Sequence, residues 1–190
     1  MRFYNRLGSL YVLIDKWLMP SKQRLIEYIN EQSPKEVLDF GMGRGAWWMH
    51  IDENKVSLTG IDTSDYMVNY AKSQYPNKHI LLSKFNRLPL ADSSFDMVIL
   101  AHVLSVVIDP TSVLDEAHRV LKPNGTLIII NHDSTNFKFM DGLMGLFSGF
   151  VRVKLPFYII DYIDQSKWRW MEMKAFGRFS YFNWVTLLKV

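Results

Sequence analysis

The sequence contains no cysteine, and that absence removes several kinds of chemistry at once. A disulfide framework, a thiolate metal site, a cysteine nucleophile and a cysteine-held iron–sulfur cluster all need this residue. The redox compartment stays open, although a cytoplasmic location is the natural expectation for such a chain. We therefore predict a cytoplasmic protein without a resident metal.

The chain also has little net charge and no long apolar run. A formal charge of +3 is small for a protein that follows a phosphate backbone, so nucleic acid is not expected as a partner. No uncharged stretch reaches the length needed to cross a bilayer, and residues 1–6 do not open a signal peptide. The 190 residues give room for one domain with a proper core, and we expect residues 1–190 to form it.

Short apolar strands alternate with helical segments along most of the chain. The predicted strands cover residues 37–40, 56–61, 79–82, 95–100 and 126–131. The predicted helices cover residues 21–31 and 46–51, and two more begin after the capping residues Ser64 and Asp109. Five strands separated by four helices predict an α/β fold with a doubly wound, mostly parallel, Rossmann-like sheet. Two further strand-like runs, 168–176 and 182–190, predict an antiparallel C-terminal hairpin and bring the sheet to seven strands.

A glycine-rich loop after the first strand is the most informative stretch. Residues 36–45 read Glu-Val-Leu-Asp-Phe-Gly-Met-Gly-Arg-Gly, and residues 60–62 read Gly-Ile-Asp at the end of the second strand. Glycines let the backbone turn sharply and approach a ligand without a Cβ in the way, although their spacing also fits a dinucleotide site. Asp62 can accept two hydrogen bonds from a ribose diol, and Asp39 can meet an ammonium group but not a pyrophosphate. The two acids therefore favour a nucleoside that carries a positive charge.

Four segments in sequence order resemble the class I S-adenosylmethionine-dependent methyltransferases of the methyltransferase type 11 kind. They are residues 37–45, 60–64, 88–96 and 119–125. The resemblance implies S-adenosyl-L-methionine as the cofactor, with its methionine part on the first acid and the glycines and its ribose on the second acid. These roles fall on Asp39, Gly41, Gly43, Gly45 and Asp62.

The same resemblance implies where the adenine ring lies. Thr63 would flank the ring, and Met67 stands where an apolar side chain of the family often packs on it. Lys84 occupies the position at which the family usually has an acid that receives the adenine amine. We therefore expect Phe85 or Asn86 to hold the ring, partly through the backbone.

Candidate catalytic residues follow the fourth and fifth predicted strands. Methyl transfer mainly needs alignment of donor and acceptor, and a general base becomes more important for a carbon or phenol acceptor. His102, His132 and Asp133 could supply such a base, although His102 could equally be a hydrogen-bonded histidine at a strand boundary. Tyr4 and Tyr11 lie where related enzymes fold an N-terminal segment over the cofactor.

A second, weaker resemblance bears on the identity of the methyl acceptor. Residues 104–110 and 129–134 are similar to segments of the soluble bacterial phosphatidylethanolamine N-methyltransferases, which implies an amino headgroup on a lipid-like acceptor. Residues 135–167 form an aromatic, weakly basic segment that we interpret as a substrate cap, opposite an N-terminal helical cap at 1–32. Residues 167–170 set cations beside indoles, which could contact an anionic inner membrane surface, pack on the sheet or mark a homodimer contact.

We accordingly predict an enzyme that methylates a small-molecule or lipid-like acceptor, with an amino headgroup as the leading candidate. Two alternatives remain. One is a methyltransferase that acts on a protein or RNA. The other is a non-catalytic subunit that binds S-adenosylmethionine and activates a partner, for which a cavity blocked by Trp47, Trp48 or Lys84 would be the sign.

Overall fold

A computed structural model describes residues 22–132, 157–176 and 182–190, and its strands form one sheet. The seven strands of this part are β1 Glu36–Phe40, β2 Ser57–Asp62, β3 His79–Leu82, β4 Phe95–Ala101, β5 Leu121–His132, β6 Trp168–Phe176 and β7 Phe182–Lys189. Their order across the sheet is β3-β2-β1-β4-β5-β7-β6. Strands β1 to β5 run parallel, while β7 is antiparallel to both β5 and β6. The predicted mostly parallel sheet with an antiparallel C-terminal hairpin is confirmed.

Three α-helices and two 3-10 helices lie in the described ranges. Helix α1 covers residues 22–32, α2 covers Asp65–Gln74 and α3 covers Pro110–Val120, with 3-10 helices at Trp48–His50 and Ile159–Tyr162. Both predicted N-caps form: Ser64 Oγ accepts from the Met67 N–H, and Asp109 Oδ1 accepts from the Ser112 N–H. Within these ranges, none of the helices combines the length and the apolar composition that crossing a bilayer would require.

Residues 46–51 do not form the predicted α-helix, and only Trp48–His50 is helical, as a single 3-10 turn. Trp47 provides no side-chain cap, and Ile51 already has extended dihedrals of φ −98° and ψ 135°. The physical reason lies in the two tryptophans, which are 2% and 1% exposed. The Trp48 indole N–H donates to the buried Asp39 carboxylate at 2.7 Å, so a contact with β1 holds this segment in place of the local helical pattern.

No helix separates β3 from β4 either, so the prediction of four helices between five strands was wrong. The connecting residues 83–94 are held as a series of turns by side chains of α3. Glu116 Oε1 accepts from the Leu88 N–H at 2.5 Å, and the Arg119 guanidinium donates to the carbonyl of Leu90 at 2.9 Å. These bonds satisfy backbone groups that a helix would otherwise have to pair internally.

The apolar core lies on both faces of the sheet. In β4, Val98 and Leu100 pack in the layer that contains α3, whereas Met97 and Ile99 pack in the layer that contains α1 and α2. Successive residues of a strand point to opposite faces, so both sets are buried only when both faces are covered. This arrangement explains the unbroken apolar sequence of β4.

The chain changes direction across the sheet at β1. The strand that follows it in sequence, β2, lies on one side, and β4 lies on the other. The loops after β1, β2 and β4 therefore meet at the same edge of the sheet, which is where open parallel sheets bind ligands.

Candidate active site

A cavity of about 540 Å³ opens at this edge, beyond the carboxyl ends of β1 to β4. All residues predicted to bind the cofactor line it except Gly45, and the predicted catalytic residue His102 lines it as well. The lining comes from separate loops after four strands, so the sheet topology brings these residues together. The cavity is therefore the candidate active site.

The first two glycines of the loop give the cavity its backbone wall. Gly41 and Gly43 have positive φ angles of 87° and 57°, which residues with a Cβ rarely adopt. A Cβ on Gly41 would lie 2.4 Å from Val103 Cγ2, so a side chain there cannot fit beside the loop after β4. A Cβ on Gly43 would meet no heavy atom within 4 Å, because the backbone there faces open space.

Gly45 lies behind the loop instead of in the cavity lining. Its carbonyl accepts a hydrogen bond from the Tyr75 hydroxyl at 3.0 Å, and an added Cβ would stand 3.2 Å from both Trp48 and Tyr75. Its φ of 65° also favours glycine. The structure thus shows that Gly45 packs against two aromatic rings under the loop, and its contact with the methionine part of the cofactor stays a prediction.

Asp39 is a buried acid at the end of β1, with 1% of its surface exposed. Burial raises its pKa to about 7, and a hydrogen bond from Trp48 and the charge of Lys22 act in the opposite direction. The indole Nε1–H of Trp48 donates to Asp39 Oδ2 at 2.7 Å. One carboxylate oxygen is thereby fixed by a side chain from the loop.

The Trp48 indole occupies space that only a glycine at position 60 leaves open. A Cβ on Gly60 would lie 2.3 Å from Trp48 Cη2 and 2.3 Å from Met42 Sδ. The indole therefore passes directly against β2 to reach Asp39. Trp47 is also buried and lines the cavity, so one tryptophan holds the acid and the other faces the ligand space.

Asp62 is the second acid, at the end of β2. Its Oδ2 accepts from the Gly43 N–H and its Oδ1 from the Ser64 N–H, both at 2.9 Å. Burial raises the pKa of this carboxyl, while the hydrogen bonds from the backbone lower it. Each carboxylate oxygen can accept a further hydrogen bond, so the acid that fixes the glycine loop can also receive ligand hydroxyls.

Three cationic side chains of the described residues line the cavity, and they differ in burial. Lys22, at the start of α1, is 8% exposed. Arg44 is half-buried with its guanidinium 3.8 Å from the centre of the Tyr70 ring, and its Nε has no hydrogen-bond partner. Lys84 is exposed and stands beside Phe85 and Asn86 in the loop after β3. No motif in the sequence pointed to Lys22.

His102 follows β4 with a left-handed φ of 61°. Its backbone N–H donates to the Ile130 carbonyl at 2.6 Å, and its ring packs edge-on to Phe182 with the ring centroids 5.2 Å apart. Burial, and then the charges of Lys22 and His132, lower the pKa of His102 well below its ordinary value. The imidazole is therefore neutral near pH 7 and is a weak base in the ligand-free protein.

The other predicted catalytic residues either lie outside the cavity lining or lie outside the described residues. His132 ends β5, is 7% exposed and packs 5.8 Å from the centre of the Phe157 ring, outside the cavity lining. Tyr4, Tyr11 and Asp133 lie outside the described residues. Of the predicted catalytic set, the structure therefore brings His102 to the cavity and sets His132 close enough to act on it electrostatically.

A group of apolar lining residues comes from the segment between β4 and α3 and from the first turn of α3. It includes Val103, Val106, Val107, Ile108 and Val113. Ile108 is 97% exposed at the rim, whereas Val103 and Val113 are buried. This part of the cavity suits an apolar ligand group, and the sequence alone did not identify it.

A family model described as a methyltransferase domain matches residues 38–129. A demethylmenaquinone methyltransferase of Thermotoga maritima is 30% identical over 164 residues, which cover 83% of this chain and 71% of that protein. The chain belongs to the class I S-adenosylmethionine-dependent methyltransferases. The sequence resemblance to this family is thus confirmed, as are the enzyme class and the cofactor, S-adenosyl-L-methionine.

Further similarities of this methyltransferase agree with the family. A ubiquinone/menaquinone biosynthesis C-methyltransferase UbiE of Desulfotalea psychrophila is 30% identical over 139 residues, 68% of this chain and 56% of that protein. A solved Thermotoga maritima structure described as an S-adenosylmethionine-dependent methyltransferase, possible histamine N-methyltransferase, has a TM-score of 0.77 at 20% identity and covers 100% of this chain and 99% of its own. An S-adenosylmethionine-dependent methyltransferase from Aquifex aeolicus has a TM-score of 0.63 at 22% identity, over 87% of this chain and 89% of its own. The two structures show the fold alone.

The geometry of the methyltransferase fits its cofactor. Two acids lie on either side of the glycine loop. No heavy atom lies within 4 Å of the place where a Cβ on Gly43 would stand, so a ligand can approach the backbone there. Among the residues that the structure describes, no group of three or more histidines and acids could hold a metal ion. The roles of individual residues toward the cofactor, however, remain predictions.

Proposed function

We propose that this methyltransferase transfers the methyl group of S-adenosylmethionine to a ring carbon of a small, apolar, hydroxylated aromatic acceptor of the quinol class. The apolar acceptor end of the cavity, which is lined by valines and by the neutral imidazole of His102, carries the proposal. The names of the relatives support it, since one acts on demethylmenaquinone and another is a C-methyltransferase.

The donor end would hold the cofactor through charge and backbone contacts. In this proposal Asp39 binds the ammonium group, Asp62 binds the ribose diol, and Gly41 and Gly43 let the backbone approach the methionine part. Asp39 is buried and Asp62 is partly buried, so their interactions with a cationic or hydroxylated ligand are only partly screened.

The adenine ring would lie among the residues that follow β2 and β3. Thr63 and Met67 flank it from one side, and Phe85 covers it from the other, supported by an edge-on contact with Phe40 at 4.8 Å. Lys84 has only donors, so it cannot receive the adenine amine. An oxygen of the Asn86 side chain or of the backbone has to do so.

Bound S-adenosylmethionine supplies an electrophilic methyl group on a positively charged sulfur. The chain's own contribution is alignment of the acceptor, exclusion of water by the valine-rich wall, and control of one proton. His102 accepts a hydrogen bond from the acceptor hydroxyl at an imidazole nitrogen, which increases the electron density on the ring carbon. His132 lies near enough to oppose a second positive charge there. The ring proton that the methyl group replaces leaves to solvent.

An amino headgroup is less well matched by the described acceptor end. An ammonium group needs carboxylates or an aromatic cage, and the acid near this end, Asp109, already caps α3 through the Ser112 N–H. The weaker resemblance to phosphatidylethanolamine N-methyltransferases therefore remains a prediction. The non-catalytic alternative required a blocked cavity, and neither Trp47, Trp48 nor Lys84 fills the space.

The test is turnover of labelled S-adenosylmethionine against a panel of short-tailed demethylated quinols, hydroxylated aromatics, amines and an ethanolamine lipid. We expect methylation of quinols and none of the oxidised quinones, because only the reduced ring has a hydroxyl proton to lose. Methylation of amines alone would overturn the proposal.

The variant His102→Asn tests the proposed role of the His102 imidazole. Asparagine tolerates the left-handed φ of this position, and we expect kcat to fall about 100-fold while affinity for S-adenosylhomocysteine stays the same. The matched control is His118→Asn, since His118 packs on Trp168 outside the cavity. Equal losses in both variants would mean that His102 is structural.

A further inference from the structure

The loop after β3 supplies the polar groups at one end of the cavity. Lys84, Phe85 and Asn86 line the cavity there, and the lysine and the asparagine are exposed while the phenylalanine is half-buried. The Phe85 ring packs edge-on to Phe40, with the ring centroids 4.8 Å apart. This end of the cavity therefore combines one apolar ring with one cationic and one amide side chain.

The order of the strands sets which part of the donor reaches this loop. Strands β1, β2 and β3 are adjacent in the sheet, about 4.8 Å apart, so the loops at their carboxyl ends lie side by side. In the proposed binding mode, Asp39 at the end of β1 takes the ammonium group and Asp62 at the end of β2 takes the ribose. The purine continues in the same direction beyond the ribose, so its six-membered ring would face Lys84 and Asn86.

The two polar side chains of this loop differ in the groups they can pair with. A lysine ammonium has donors only, whereas an asparagine amide has both donors and an acceptor. Adenine presents an amine at C6 beside the acceptor N1, and a 6-oxopurine presents an oxygen at C6 beside an N1–H donor. Lysine pairs with the O6 of a purine, and asparagine pairs with the amine of adenine. Lys84 and Asn86 together can therefore satisfy either base, whereas a carboxylate at position 84 would repel an oxygen at C6.

We propose that Lys84 lets the donor site accept thioethers of 6-oxopurine nucleosides as well as those of adenosine, through a hydrogen bond from its Nζ to the purine O6. Asn86 accepts from the N1–H of the 6-oxopurine or from the amine of adenine. The inosine-type counterpart of S-adenosylhomocysteine is thus a second ligand of this cavity. Its binding rests on the proposed place of the nucleoside and not on the acceptor, so it stands whether or not a quinol is the substrate.

The experiment compares two ligands that differ only at C6 and N1 of the purine. Titration calorimetry would measure S-adenosylhomocysteine and S-inosylhomocysteine against wild type, Lys84→Arg and Lys84→Asp. We expect wild type and Lys84→Arg, which keeps the donors, to bind the two ligands within about tenfold of each other. Lys84→Asp should keep its affinity for S-adenosylhomocysteine and bind S-inosylhomocysteine on the order of 100-fold more weakly, because a carboxylate accepts from the amine and repels the oxygen.

Lys72→Asp is the matched control, because Lys72 is an exposed lysine of α2 outside the cavity lining, and the same change of charge there should leave the ratio of the two affinities unchanged. An equal ratio in wild type and Lys84→Asp would overturn the proposal. Should Lys84→Asp fail to fold, wild type decides, since a preference for S-adenosylhomocysteine of more than about tenfold contradicts a donor facing O6. Wild type that binds neither ligand would overturn this inference together with the cofactor roles, whereas failure with quinols alone would affect only the proposed acceptor.

Discussion

The two ends of the cavity are built in opposite ways. The proposed donor end consists of one buried acid, one partly buried acid and glycine backbone, held by hydrogen bonds such as the 2.7 Å contact from Trp48 to Asp39. The acceptor end consists of valine and isoleucine side chains from the segment between β4 and α3, with Ile108 exposed at the rim. The donor end is suited to charged and hydroxyl groups, and the acceptor end is suited to an apolar group of matching shape.

This difference explains why the family and the cofactor are easier to establish than the acceptor. Hydrogen bonds to buried charges have strict geometry, so they demand particular residues at particular spacings. Apolar walls tolerate exchange among aliphatic side chains of similar volume, so they leave a weaker mark in a sequence. Substitutions at one end of the cavity at a time test whether the two ends bind different ligands.

The largest effect is expected for Asp39→Asn at the donor end. The amide keeps the size of the side chain and can still accept from Trp48 Nε1–H, but it cannot balance a ligand ammonium group. We expect affinity for S-adenosylhomocysteine, measured by titration calorimetry, to fall on the order of 100-fold. The control Asp96→Asn removes an acid that pairs with Lys122 and the Glu36 N–H, far from the ligand. Similar losses in both variants would contradict a binding role for Asp39.

An effect of about tenfold is expected from pH. Because burial raises the pKa of Asp39 to about 7 in the ligand-free protein, the carboxylate is mostly protonated at pH 6 and mostly charged at pH 8. The ammonium group needs the charged form, so S-adenosylhomocysteine should bind about tenfold more tightly at pH 8 than at pH 6. The folded pKa lies above the unfolded value, so this acid's contribution to stability is present below about pH 4 and is lost as the pH rises through 7. Asp39→Asn should abolish both dependences.

The variant Trp48→Phe should shift the pH dependence of S-adenosylhomocysteine binding. The ring still fills the space beside Gly60, but the hydrogen bond that favours the charged carboxylate is gone, so the pKa of Asp39 should rise further. We expect affinity for S-adenosylhomocysteine to fall about tenfold at pH 7 and to approach wild type at higher pH. Trp184→Phe is the control, because that buried indole donates to Thr186 and not to the site. A pH-independent loss would mean that Trp48 acts through packing alone.

The smallest effect is expected at the acceptor end. Ile108→Ser removes one apolar side chain from the rim, and we expect the KM for the acceptor to rise about fivefold with no change in donor affinity. The control is Ile160→Ser, because Ile160 is 57% exposed but does not line the cavity. An unchanged KM in steady-state kinetics would show that the acceptor does not lie across this rim.

Much of the donor end could be predicted from short-range patterns. Asp39, Gly41, Gly43 and Asp62 lie within one strand-loop-strand unit, so their spacing already sets them around one ligand. The same patterns failed at residues 46–51, where a helix was predicted and a 3-10 turn formed. The helix prediction rested on local periodicity, whereas the burial of Trp47 and Trp48 depends on strands and loops that are distant in sequence.

Strand periodicity, turn glycines and strand-end acids are local features, so the sequence indicates the fold class and the family and predicts the two acids of the donor site. The tertiary structure shows that Trp48 holds Asp39, that Gly45 packs against aromatic rings and that valines line the cavity with His102. These are contacts between segments far apart in the chain. Burial then sets their chemistry, since it raises the pKa of Asp39 and lowers that of His102 by withdrawing both groups from water.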